Sequence, residues 1–266
     1  MGKSVSRSPK PKRGRSSPSE KGLLPLTATM EDSARVFAKK DDSPLKPKTR
    51  HQAEYINAIQ SCVLTFGLGP AGTGKTFIAT ALAVESFLNK DVEKIIITRP
   101  VIEAGEKLGF LPGELEDKVA PYFAPVRAIL DRRMGSGAAE FMIKAKKIEF
   151  VPLAYMRGLT LDNSFVILDE AQNTTPIQMK LFITRIGEGS KVVVDGDTSQ
   201  RDIPGMSGLA DLLNRVSTLD EVRVVRFTHE DVVRSGLVAK ILRTYECEDD
   251  GECGGLERFL SVKSNS

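Results

Sequence analysis

The segment Gly69, Pro70, Ala71, Gly72, Thr73, Gly74, Lys75, Thr76 constrains this chain more than any other part of it. It fits the pattern G-x-x-x-x-G-K-[ST], follows an apolar β-branched run and opens an amphipathic stretch, which is the strand-loop-helix context a phosphate loop requires. Its glycines permit backbone angles that turn successive N–H groups toward one point, and the helix N-terminus adds partial positive charge there. Together these make an anion nest. Lys75 is placed to reach the β and γ phosphates of a nucleoside triphosphate, and the Thr76 hydroxyl to hold a bridging Mg2+ ion.

Around this loop, short β-branched runs alternate with longer amphipathic stretches across residues 47–246. That alternation predicts an α/β fold, a mostly parallel sheet with helices on both faces. Strands are expected at 63–67, 94–98, 147–151, 165–169, 191–195 and 222–227, and helices at 51–60, 75–89, 176–187, 207–216 and 231–245. An insert at 99–146, with prolines at 100, 112, 121 and 125, is expected to hold one helix at 126–134.

Two of these strands end in groups suited to phosphate chemistry. The strand at 165–169 runs into Asp169 and Glu170 at the C-terminal edge of the sheet, where ligands bind in open α/β folds. Asp169 suits a carboxylate that holds Mg2+ through its water shell, and Glu170 a base that orients and activates an attacking water. The pair also suits a helix cap, but the phosphate loop upstream favours the site reading. The strand at 191–195 leads into Gly196, Asp197, Thr198, Ser199 and Gln200 at the same edge. The Gln200 amide is thereby expected near the γ-phosphate, able to donate to an oxygen or orient water.

Charge is unevenly spread although the net value is only +3, from 38 basic and 35 acidic residues. Lys3, Arg7, Lys10, Lys12, Arg13, Arg15 and Lys21 sit among serines and prolines, a composition unable to build a core, so residues 1–46 are expected to be a mostly disordered basic tail. It suits a nonspecific contact to a phosphate backbone or a solvated arm equally. Glu246, Glu248, Asp249, Asp250 and Glu252 make an acidic run that leads into a C-terminal tail, 247–266. No run approaches the roughly 18 apolar residues of a membrane span, and no apolar segment follows the basic N-terminus, so the expectation is a cytoplasmic protein without a membrane partner. Cys62, Cys247 and Cys253 match no metal or disulfide spacing.

With these motifs in place, the chain resembles the PhoH-like ATPases, a family similar to the motor core of superfamily 1 helicases. The resemblance rests on FGLGPAGTGKT from Phe66, TRPVIEAGEKLGFLPGELEDKVAPYF from Thr98, the long segment from Pro152 through Gln200, and EDVVRSGLVAKIL from Glu230. It implies a single RecA-like P-loop NTPase domain that binds and hydrolyses ATP with Mg2+, and it links the family to RNA. Gln52, in TRHQAEY, resembles the glutamine that reads adenine through two amide hydrogen bonds in related helicases. Arg234, in DVVRS, resembles the arginine that completes a γ-phosphate clamp. Arg99, Arg157 and Arg185 are further candidates for contacts to nucleic acid or a neighbouring subunit. The chain departs from the family pattern at Leu159, where arginine is usual, and at Ser235 and Gly236, where His-Pro is common.

Helicases of that superfamily use two such domains, whereas this sequence contains one phosphate loop. The expectation is therefore a homo-oligomer, with a ring as one arrangement, in which a neighbour supplies an arginine. Three readings remain open: an ATPase motor on RNA or single-stranded nucleic acid, an ATP-dependent switch acting on a protein partner, and a kinase. Glu170 beside Asp169 favours water as the acceptor.

Overall fold

A computed structural model of the protein describes residues 40–100, 115–200, 202–216 and 219–233, together with Gly2. The chain divides into two compact units, Met1–Val36 and Phe37–Ser266, and every element below belongs to the second. Helix α1 (Arg50–Ser61) is capped by Thr49, whose side chain accepts from the Gln52 N–H. Then follow β1 (Leu64–Leu68), α2 (Lys75–Leu88), β2 (Lys94–Arg99), α3 (Leu115–Met134), α4 (Ser136–Lys144) and β3 (Ile148–Pro152). The chain continues through β4 (Ser164–Leu168), α5 (Pro176–Ile183), β5 (Lys191–Gly196), α6 (Gly208–Val216) and β6 (Val222–Arg226).

The six strands form one sheet in the order β3-β2-β4-β5-β1-β6, and every pairing is parallel. Alternation along each strand divides the core into two layers. Ile95, Ile97, Phe165, Ile167 and Val193 pack with residues of α1 to α4. Their neighbours Ile96, Val166, Leu168, Val192 and Val194 pack with α5 and α6 on the opposite face. Because both faces are covered, β4 is buried at all five positions and its sequence is apolar from Phe165 to Leu168 without interruption. The α/β architecture with helices on both faces is thus present, with each expected strand in place to within one residue.

The insert departs from expectation. Instead of a short helix at 126–134, α3 begins at Leu115 and contains both Pro121 and Pro125, and α4 follows it. An internal proline costs a helix about 3 kcal/mol. Phe123, Val126, Leu130 and Met134 offset that cost: their helical spacing buries all four, and each large apolar side chain contributes about 1.5–3 kcal/mol. Residues 40–46, grouped with the tail on composition, are instead tied to α3. Arg132 pairs with Asp41 at 2.9 Å, and Arg133 donates to the Ser43 carbonyl at 2.7 Å.

The helix expected at 176–187 ends at Ile183, after which Ile186 bridges to Leu161. At the position expected to begin the last helix, Asp231 closes a 3-10 turn, His229–Asp231, and Val232 is extended. Residues 234–245 of that expected helix lie outside the described residues.

Leu130 is fully buried between α3 and the rest of its layer. Leu130→Ala is expected to lower stability by about 2–5 kcal/mol, read as a reduced urea midpoint with unchanged slope.

Candidate active site

Strand order shapes the site before any side chain does. β5 lies between β1 and β4, so the phosphate loop and the strand bearing the carboxylates are two strand spacings apart, about 10 Å. The loop closes this gap by turning over the end of β5, where the Gly69 N–H donates to the Gly196 carbonyl at 3.1 Å. Gly69 has φ 137°, and an added Cβ would lie 2.4 Å from the Phe227 carbonyl oxygen, so only glycine allows the approach. Gly74 stands at the N-cap of α2 with φ 88° and without a side chain to bond the first-turn N–H groups. Gly74, Lys75 and Thr76 all line the cleft, so the first turn of α2 borders the place where an anion would bind.

Ala71, Gly72, Gly74, Lys75 and Thr76 line a cleft of about 280 Å³ together with Asp169, Glu170, Asp197 and Gln200. Gly69, Pro70 and Thr73 do not line it; they brace the loop, with the Thr73 hydroxyl donating to the Pro70 carbonyl at 3.1 Å. The Lys75 ammonium donates to the carbonyls of Gly69 at 2.7 Å and Pro70 at 2.9 Å, and to Thr73 Oγ1 at 3.3 Å. It also lies 5.9 Å from the centre of the Phe227 ring. Burial pushes its pKa below the usual lysine value, against the pull of Asp195, Asp197, Asp169 and Glu170.

Thr76 Oγ1 donates to Asp169 Oδ1 at 3.2 Å, which joins the first turn of α2 to the end of β4. Asp169 is only 8% exposed, and burial, with the neighbouring Glu170, raises its pKa above the ordinary carboxylate value. Glu170 adopts φ 53°, a left-handed conformation uncommon outside glycine. Its two carboxylate oxygens are separately held: Oε1 by Arg99 Nη2 at 3.4 Å, Oε2 by Gln172 Nε2 at 2.7 Å. Arg99 reaches it from the end of β2 while also donating to the Tyr122 carbonyl of α3 at 3.0 Å. Gln200 is exposed at the mouth, its backbone N–H donating to the Asp197 carbonyl at 3.2 Å.

Gln52 sits behind the loop. It is 5% exposed, its Nε2 donates to the Thr73 carbonyl at 2.9 Å and its Oε1 accepts from the Lys48 N–H at 2.7 Å. Both ends of the amide that the resemblance assigns to adenine are thus engaged with protein. Arg234 lies outside the described residues; Val233, before it in the chain, donates its N–H to the Gly72 carbonyl at 3.0 Å. Arg157 is exposed near the end of β3 and Arg185 half-buried after α5, neither lining the cleft.

One buried group was not singled out from sequence. Asp195, 1% exposed on β5, accepts a short hydrogen bond from the Tyr55 hydroxyl of α1, while its Oδ2 has no partner. An added Cβ at Gly67 would lie 2.4 Å from Asp195 Oδ1, so the adjacent strand leaves room for this pair. Burial first, then the charge of Asp169, pushes the Asp195 pKa up to about 8.

A six-stranded parallel sheet carrying this phosphate loop, with a buried carboxylate bonded to the loop's threonine, defines a P-loop NTPase domain of RecA-like architecture. The family described as PhoH-like protein matches residues 44–246, and the chain belongs to that family. The PhoH-like protein of Bacillus subtilis (strain 168) is 49% identical over 204 residues, covering 76% of this chain and 64% of that one. Protein PhoH of Escherichia coli (strain K12) is 48% identical over 210 residues, covering 77% and 59%. The match therefore spans about three fifths of the length of these relatives. Among solved structures, the large terminase from a thermophilic bacteriophage aligns over 74% of this chain and 50% of its own, at 14% identity and a TM-score of 0.47. The UvsW helicase from bacteriophage T4 aligns over 76% and 68%, at 12% identity and a TM-score of 0.42.

The raised Asp195 pKa has a consequence for stability. The folded protein holds this proton up to about pH 8 whereas the unfolded chain releases it near 3.8, so folding stability drains away as pH rises between those values. Asp195→Asn removes the titration. The urea stability of this variant relative to the parent is expected to rise steadily from pH 5 to pH 8, and a constant difference would sink the assignment.

Proposed function

We propose that this domain binds ATP with Mg2+ and hydrolyses it, coupling turnover to RNA or single-stranded nucleic acid. The observation that carries the hydrolytic part is the convergence of Lys75, Thr76, Asp169, Glu170 and Gln200 on one cleft. Among the described residues lining it, Lys75 is the one cationic side chain against three carboxylates, Asp169, Glu170 and Asp197. A triphosphate entering this cleft needs further positive charge.

The donor set fits Mg2+. Thr76 and Asp169 offer hard oxygen atoms 3.2 Å apart, and Asp169 is a buried carboxylate that a cation neutralises. No cluster of three or more acidic, histidine or cysteine ligands occurs among the described residues, which accords with an ion that takes its remaining ligands from phosphate and water. Thr76 and Asp169 would hold the ion, which when bound would supply positive charge against the triphosphate. Lys75 exchanges its loop carbonyls for phosphate oxygens, the α2 N-terminus supplies N–H donors, and Glu170 accepts a proton from the attacking water. Gln200 reads the terminal phosphate by donating an amide N–H. Arg234 completes the clamp from the same chain or from a neighbouring copy in a homo-oligomer. Gln52 holds Thr73 in place and meets adenine through its remaining N–H and lone pair.

The nucleic-acid part rests on the family resemblance and the basic residues near the N-terminus. The second reading, a switch acting on a protein partner, differs in one measurable way. Steady-state ATPase activity with and without single-stranded RNA is expected to rise with RNA for a motor; an unchanged rate favours the switch. No helix among the described residues is long and apolar enough to cross a membrane.

For the chemistry itself, Lys75→Ala is expected to lose nucleotide binding or turnover. Glu170→Gln is expected to keep nucleotide affinity while turnover falls about 100-fold or more. Equilibrium binding of a fluorescent ATP analogue, beside phosphate release, separates these outcomes, and normal hydrolysis by Glu170→Gln removes that residue as the base.

A further inference from the structure

Gln172 stands two residues after Glu170 in the 3-10 turn Ala171–Asn173, and it is 3% exposed. Its side-chain amide joins two parts of the site that come from different strands. Nε2 donates to Glu170 Oε2 at 2.7 Å, and Oε1 accepts from the backbone N–H of Asp197 at 3.0 Å. The second partner decides the orientation: a backbone N–H only donates, so Oε1 must face Asp197 and the NH2 group must face Glu170. Glu170 Oε2 is the acceptor for that NH2 group. Space for this amide is made by Gly196, where an added Cβ would lie 3.0 Å from Gln172 Oε1 and 3.2 Å from its backbone nitrogen. The Gln172 backbone is itself anchored, its carbonyl accepting from Ser207 Oγ at 2.8 Å.

Asp197 opens the loop that ends in Gln200, and hydrogen bonds tie the loop back to it. Asp197 Oδ1 accepts from the Ser199 N–H at 3.0 Å and from its hydroxyl at 2.6 Å, and the Asp197 carbonyl accepts from the Gln200 N–H at 3.2 Å. Hydrogen bonds therefore run without a break from Gln200 to Asp197, and from the Asp197 N–H through one planar amide to the Glu170 carboxylate.

We propose that Gln172 is a positioning residue that makes the aim of Glu170 depend on where the Asp197–Gln200 loop sits, so that the base is aligned for water when Gln200 engages the terminal phosphate. The inference rests on Glu170 being the base. It assigns the coupling between phosphate sensing and water activation to one side chain.

The test is a double-mutant cycle of Gln172→Met and Glu170→Gln in the full chain, with phosphate release and binding of a fluorescent ATP analogue measured for each protein. Gln172→Met is expected to lower kcat about 10–100-fold, as misaligned catalytic groups do, while nucleotide affinity changes less than about threefold. In the Glu170→Gln background the same substitution is expected to lower single-turnover hydrolysis no further. Parental kcat in Gln172→Met overturns the inference, as does equal loss of affinity and turnover, or a full further loss on top of Glu170→Gln. Normal hydrolysis by Glu170→Gln alone removes the base reading and this inference with it, whereas an inactive Glu170→Gln beside a fully active Gln172→Met removes this inference only. If thermal melting shows that Gln172→Met does not fold, Gln172→Glu is measured against the same outcomes, since it keeps the acceptor for Asp197 and lacks the donor for Glu170.

Discussion

Asp169, Glu170, Asp195 and Asp197 gather around the single ammonium group of Lys75, and this excess of negative charge in a half-closed cleft conditions the rest of the site. Lys75 is held down on loop carbonyls within reach of their field. Asp195 escapes the conflict by holding a proton and pairing with Tyr55, while Asp169 leans on the Thr76 hydroxyl. Glu170 is different in kind: two donors from separate elements hold it in the acceptor role that a base requires. In the proposed complex the Mg2+ ion would set two positive charges beside Thr76 and Asp169, against this excess.

Helix α1 gives the loop its second support. Within two turns it presents His51 to Asp231 at 2.8 Å, Gln52 to the Thr73 carbonyl, and Tyr55 to Asp195 on β5. The turn that carries Asp231 returns to the loop through Val233 and Gly72. The carbonyls of the phosphate loop are thus satisfied from within the protein, by Gln52, by Val233 and by Lys75 itself. The bond from Gln52 to Thr73 is one that the resemblance alone does not indicate; a buried amide bonds a carbonyl within its reach.

The strands were legible because β-branched runs bounded by turn residues need no knowledge of partners, and the loop because its glycines, lysine and threonine are contiguous. Asp169, Glu170 and Gln200 were legible for a related reason: charged or amide groups directly after apolar strands sit at the ligand edge of any parallel sheet. The long α3 was not, since its prolines argue locally for a break, and only burial of Phe123, Val126, Leu130 and Met134 reverses that argument. Asp195 read as the end of a strand, and its partner Tyr55 lies 140 residues earlier.

By itself, then, the sequence determined that this chain builds a phosphate loop between a strand and a helix, and that two carboxylates and an amide stand at the same sheet edge. Those are short-range facts, set by local backbone preference and by the alternation of apolar runs. Only the tertiary structure decided that Arg99 and Gln172 share Glu170 between them, that Gln52 braces Thr73, and that Asp195 is buried against Tyr55. Each of those contacts depends on strand order, and the order β3-β2-β4-β5-β1-β6 is chosen by packing both faces of the sheet at once, a global constraint that no local window of residues contains.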